Sequence, residues 1–202
     1  MEQKKRFDAF DIILICLALV VFAFVGIRTV SNPDAYAHLA SGKQIVESGL
    51  KAADNLSYSA GDNTWANPFW LYDMLMYKIA GTNPSALTLL HVLMATLAFA
   101  LIIPLVKKWS GAPSIALSIT IAAWLILPRF DVRPSIFLMV FPSIYILLLS
   151  SKLRPWLVMG ILTAVQILWA NLGSTHTYGI FIGLAFLVQA IRMKKYEGGE
   201  NS

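Results

Sequence analysis

The sequence predicts an all-α polytopic membrane protein with about six transmembrane helices and a large first outer loop carrying interfacial helices. Three observations predict it. First, the 202 residues are 57% hydrophobic and only 13% charged, whereas a soluble domain carries roughly a quarter charged residues. Second, the apolar residues lie in long blocks rather than at amphipathic spacing, so lipid and not a packed core accounts for them. Third, the basic residues sit in short runs beside the blocks, where the positive-inside rule places them. The net charge of +5 is thereby explained without a nucleic-acid partner. A single cysteine, Cys16, excludes an intrachain disulfide and a cysteine-cluster metal site.

The first block runs from about Phe10 to Val30, preceded by Lys4, Lys5 and Arg6. A signal peptide starts similarly, and Ala35-Tyr36-Ala37 imitates a cleavage site. The apolar run is longer than a signal core, however, and the Ala-x-Ala lies well beyond its end, so a membrane span is the better reading. The remaining blocks are about Ser85 to Val106, Ala112 to Pro128, Pro134 to Ser150, Pro155 to Asn171 and Thr175 to Ile191. Each is near the roughly 20 residues that cross a bilayer as a helix. Helix is the required form, because backbone polar groups in lipid need partners within the segment. Six crossings put Lys107 and Lys108, Lys152 and Arg154, and Arg192, Lys194 and Lys195 on the side of the N-terminus, which the rule makes cytoplasmic. The whole of 1–202 reads as one membrane domain, with a loose tail over 196–202.

The outer loop, 31–84, is too long for a plain connector and too aromatic for disorder. Asn32-Pro33-Asp34 reads as a helix start, with proline in the first turn and an acid at the positive dipole end. A helix over about Asp34 to Glu47 follows, ending near Gly49, with an apolar side suited to a membrane surface. The segment around Ala60-Gly61-Asp62-Asn63 predicts a small hairpin or irregular turn. A second interfacial helix spans about Pro68 to Ala80, where Trp70 and the tyrosines suit the bilayer edge.

Several outer residues could carry chemistry. Asp34 and His38 are four apart and share a helix face; they suit a general base or a cation site, and equally a plain helix-start acid beside an interfacial histidine. Arg129 and Arg133 break the inside rule on an outer turn. An anionic lipid phosphate would explain them, as would pairing with Asp131 or headgroups. Asn171, Ser174 and His176 close the outer end of the last two crossings, as a cavity lining or an ordinary polar turn. His91, Gln166 and Gln189 lie inside crossings, where they face a cavity or bond between helices. There is no phosphate loop, zinc motif or nucleophile elbow.

The series Asp34-x-x-x-His38-Leu39-x-x-Gly42, Ile45, Gly49, Asp54-x-x-Ser57-Tyr58, Gly61, Trp65 and Trp70-Leu71, followed by Arg133-Pro134 and Trp169-x-Asn171, resembles the GT-C superfamily of membrane glycosyltransferases. The likeness is to bacterial protein mannosyltransferase-like and lipid-linked sugar transferase-like members, over about residues 9–192. Members have more crossings, so the resemblance implies an N-terminal module or short relative. It implies sugar transfer from a polyprenyl-phosphate-linked donor to an acceptor on the outer face of a bacterial inner membrane, with both termini cytoplasmic. Asp34 would be the catalytic base, or would position a divalent cation as in some branches. Arg129 or Arg133 would stabilise the leaving phosphate, His38 and His176 would contact phosphate or acceptor, and Trp65 and Trp70 would stack on sugar or close the site. Asn171 falls in the part of the match at the fifth crossing. Where members carry a histidine directly after the asparagine and leucine, this chain has Gly173. The alternative is a non-catalytic subunit of the same scaffold that binds a polyprenyl lipid or a partner membrane protein.

Overall fold

The computed structural model describes residues 7–27, 32–50, 67–83, 85–126 and 132–199, and every regular element among them is helical. In chain order the helices are α1 (Ala9–Gly26), α2 (Pro33–Ser48), α3 (Trp70–Thr82), α4 (Ser85–Val106), α5 (Ala112–Ile126), α6 (Phe137–Leu149), α7 (Pro155–Leu172) and α8 (Thr177–Gly199). Single 3₁₀ turns, Pro134–Ile136 and Ser174–His176, lead into α6 and α8. Among the described residues, four segments are long and apolar enough to cross a membrane: Ala9–Gly26, Ser85–Val106, Pro155–Leu172 and Ser174–Met193. Ala112–Leu125 and Pro134–Leu149 are apolar but shorter. The expected hairpin around Ala60 lies outside the described residues.

The ends follow from local chemistry. Asp8 caps α1: the Asp11 amide donates to its Oδ1 at 2.8 Å, and Asp11 returns the contact, completing a capping box. Asn32 caps α2 by accepting from the Asp34 amide at 3.0 Å, with Pro33 in the first turn. Helix α2 thus contains Ala35-Tyr36-Ala37, with Ala35 buried. Gly49 ends it at φ 87°, a left-handed conformation open to glycine. Helix α8 runs to Gly199, past Tyr196, where the sequence reading places a loose tail. Lysine and glutamate are good helix formers, and extending an existing helix is cheap compared with nucleating one.

Two cores hold the bundle. In one, α1 lies against α5 and α4 through Ile15, Ala18, Phe22, Ala95, Ile115 and Ile119. Small residues at these seams let the backbones approach, the usual solution where lipid removes the hydrophobic drive between helices. The Phe22 and Phe99 rings sit 4.7 Å apart. The second core joins α2, α3, α4, α6 and α7 through Tyr72, Met76, Leu87, Phe141, Tyr145 and Trp169. Phe137 at the start of α6 packs against both. Large apolar side chains cover the outside, including Phe10, Ile13, Val20 and Phe24 on α1 and Phe181, Leu184 and Leu187 on α8. In water such a surface would aggregate; against lipid it is ordinary.

The polar residues inside the apolar helices are mostly spent on structure. Hydroxyls of Thr96, Ser118, Thr120 and Ser143 donate to the carbonyl four residues back. His91 joins the Leu87 carbonyl at 2.8 Å and the Tyr72 hydroxyl at 3.1 Å. Gln166 accepts from Tyr145 at 2.5 Å and donates to the His176 carbonyl at 2.9 Å. Gln189 is exposed on α8.

Candidate functional site

The first turns of α2, the entry to α6 and the turn between α7 and α8 meet around a cleft of about 340 Å³. Asp34, His38, Phe69, Arg133, Pro134, Ser135, Gly173, Ser174 and Thr175 line it. Residues about 100 positions apart in the chain thereby share one hollow. Pro134 starts the 3₁₀ turn that presents Arg133. The α7–α8 turn is fixed from beneath, because Trp169 donates its indole N–H to the Thr175 hydroxyl at 2.9 Å.

Asp34 and Arg133 meet directly, with a guanidinium nitrogen 3.4 Å from a carboxylate oxygen. Their side chains are 58% and 46% exposed. An ion pair that wet contributes on the order of 0–1 kcal/mol to stability. The pair therefore does little to hold the fold, and both charges stay accessible to a ligand.

His38 lies deeper. Its Nδ1 is 2.6 Å from Asp73 Oδ1. Asp73, on α3, is 1% exposed. Its other oxygen accepts from the Ser41 hydroxyl at 2.5 Å and from the Asn67 amide at 2.6 Å. Asn67 also donates to Ser41 at 2.8 Å and accepts from the Phe69 amide at 2.8 Å. A buried acid is costly unless its oxygens are filled, and here three side chains fill them. Burial, and secondly the charge of Asp73, push the Tyr72 phenol well above its ordinary range. The His38 ring is wedged edge-on against Phe69 and Tyr72, at 5.5 and 5.1 Å. The seam between α2 and α3 is tight at Gly42, where a Cβ would stand 2.0 Å from the Asp73 carbonyl oxygen. Only glycine fits there.

The residues singled out from sequence divide three ways. Asp34, His38 and Arg133 are brought together in the cleft. Trp70, Asn171 and His176 are not part of its lining, and each makes a hydrogen bond elsewhere. Trp70 donates its indole N–H to Asn171 Oδ1 at 3.0 Å, tying α3 to α7, and Asn171 donates onward to the Ile167 carbonyl at 2.7 Å. His176 Nδ1 lies 3.1 Å from the Gly173 carbonyl. Trp65, Arg129 and Asp131 fall outside the described residues. Among the described residues, no group of three or more His, Cys, Asp or Glu side chains converges as a metal site.

Sequence reading missed Asp73, together with Ser41 and Asn67. A signal was present: Asp73 is the lone charge in Trp70-Leu71-Tyr72-Asp73-Met74-Leu75-Met76-Tyr77. An acid in such a run is either buried with partners or out of place. No protein-family model, curated protein or solved structure matches the chain.

Proposed function

We propose that this chain is a GT-C-like membrane glycosyltransferase, or a module of one, that takes sugar from a polyprenyl-phosphate donor at the outer face of a bacterial inner membrane. The observation that carries the reading is the meeting of Asp34 and Arg133, from separate outer segments, across one cleft. The proposed topology has about six crossings, counting the two shorter apolar helices with their adjoining turns, and both termini in the cytoplasm. The spacing of the basic loops supports it. In this reading the phosphate of the donor displaces Asp34 from Arg133, and the guanidinium stabilises the charge on the leaving phosphate. Asp34, set free, takes the proton from the acceptor hydroxyl as its oxygen attacks the anomeric carbon. The hydroxyls of Ser135 and Ser174 offer further contacts to sugar or phosphate. A divalent cation beside Asp34 and a partner membrane subunit belong to the same proposal.

The test is sugar transfer in proteoliposomes supplied with polyprenyl-phosphate sugars, comparing the natural chain with Asp34→Asn. The substitution is expected to abolish transfer and to leave folding and lipid binding intact. Transfer at the natural rate by Asp34→Asn would overturn the assignment. Lipid binding by the natural chain with no transfer would favour a non-catalytic subunit.

A further inference from the structure

Asp34 and Arg133 leave the deeper part of the cleft without a role. That part is built with more care than the ion pair. His38 is on the cleft wall, yet its side chain is only 16% exposed, and the carboxylate behind it is 2% exposed. The Asp73 carboxylate accepts from His38, Ser41 and Asn67, so it is fixed in position from both oxygens. With a carboxylate only accepting, the His38 proton in that bond resides on Nδ1. The second ring nitrogen, Nε2, has no hydrogen bond to the protein among the described residues and belongs to a ring that borders the cleft. A carboxylate behind an imidazole fixes its tautomer and supports the positive charge when the ring takes a second proton.

We propose that His38 is a second catalytic residue, which hands a proton from Nε2 to the leaving phosphate, and that Asp73 is its positioning residue. The inference rests on the transferase reading. The acceptor oxygen forms a bond to the anomeric carbon and its proton passes to Asp34. The bond from that carbon to the phosphate oxygen breaks, its electron pair stays on the oxygen, and the His38 Nε2 proton goes to that oxygen. Afterwards Asp34 loses its proton to water and His38 regains one.

The charged and titratable groups around His38 agree with this role. Asp34 is on its own helix, Asp73 and Tyr72 come from α3, and Arg133 comes from the entry to α6. The α7–α8 turn contributes only neutral Gly173, Ser174 and Thr175 to the wall. Tyr72 stays a neutral phenol, because burial and Asp73 oppose its ionisation, so it does not compete for the proton.

The experiment is nitrogen NMR of the full chain in nanodiscs with ¹⁵N-histidine, using farnesyl monophosphate as probe. The His38 resonances are assigned by their loss in His38→Gln. His38 is expected to carry its proton on Nδ1 in the free protein. On adding the probe, Nε2 should move toward the value of a protonated nitrogen. In parallel, the natural chain should lose about tenfold more probe affinity than His38→Gln between about pH 6 and about pH 8, the worth of one charged hydrogen bond. The titration of the probe itself is common to both proteins and cancels. Binding that depends on Arg133 but leaves the His38 nitrogens unmoved, with equal pH dependence in both proteins, overturns the proton donor and spares the transferase reading. No binding at either pH overturns both. Asp73→Asn should retain Arg133-dependent binding while losing the Nδ1 proton preference; an unchanged preference would remove Asp73 from its positioning role.

Discussion

Gly42→Ala tests how closely the site depends on the seam between α2 and α3. Gly42 is buried, and an added methyl group would stand 2.0 Å from the Asp73 carbonyl oxygen and 2.8 Å from Tyr77 Cβ. The first contact is with backbone, so no side-chain rotation relieves it. Reaching an ordinary separation of about 3.4 Å means moving the two helices apart by more than an ångström. The bonds from His38 and Ser41 to Asp73, at 2.6 and 2.5 Å, cross the same seam. A displacement of that size carries them past the hydrogen-bond range. Overpacking costs about 1–3 kcal/mol, and a buried acceptor short of donors about 1–3 kcal/mol more. Alanine returns about 1 kcal/mol of helix propensity. The net expectation is a loss of about 1–5 kcal/mol, or roughly 2–20 °C in Tm for a chain of this size. Gly160 on α7 is the control, since a Cβ there meets nothing within 4 Å; Gly160→Ala should be neutral or slightly stabilising. Thermal unfolding of both variants in one detergent reads the difference. Gly42→Ala as stable as the natural chain, or no less stable than Gly160→Ala, would mean that the seam is not tight at Gly42.

Three further outcomes follow from the same geometry. Arg133→Gln should weaken binding of farnesyl monophosphate roughly 10- to 100-fold, the worth of a charged hydrogen bond, while Tm changes little because its pair with Asp34 is wet; calorimetry and thermal unfolding report the two. Trp70→Phe and Asn171→Ala should each cost about 1 kcal/mol, and the double variant less than the sum, since both remove the same bond between α3 and α7. Tyr72, whose native phenol is held above the ordinary tyrosine value of 10.0, keeps its proton in the folded state where the unfolded chain loses it. The unfolded state then binds fewer protons, so stability is fully present below that value and falls as pH rises above it; absorbance titration should show Tyr72 ionising only on unfolding, and Tyr72→Phe should flatten this part of the pH dependence.

The membrane scaffold was legible because its signals are local. Apolar blocks, the Asn32-Pro33-Asp34 start and Gly49 each mark a helix or its end without knowledge of the rest of the chain, and α2 begins within a residue of its expected start. The meeting of Asp34 and Arg133 was only suggested, through a shared side of the membrane, because a distance across 99 positions is set by packing. Asp73 was overlooked for a related reason. Its partners His38, Ser41 and Asn67 come from another helix and a loop, and no spacing within α3 reveals them. Trp70 and Asn171, singled out separately in the sequence, are joined to each other by a hydrogen bond that no spacing announces. Among the described residues, four helices satisfy the length and hydropathy of a membrane span, whereas α5 and the segment around α6 are short. A block of apolar residues sets an upper bound on a helix, and the turn that begins at Pro134 takes its share of it.

The decisive measurement is a structure of the full chain in nanodiscs with farnesyl monophosphate bound. The phosphate should lie in the cleft, within about 3 Å of the Arg133 guanidinium, with Asp34 turned away from it and His38 Nε2 facing a phosphate oxygen. A phosphate bound elsewhere, with Asp34 still on Arg133 and the cleft empty, would contradict the proposal.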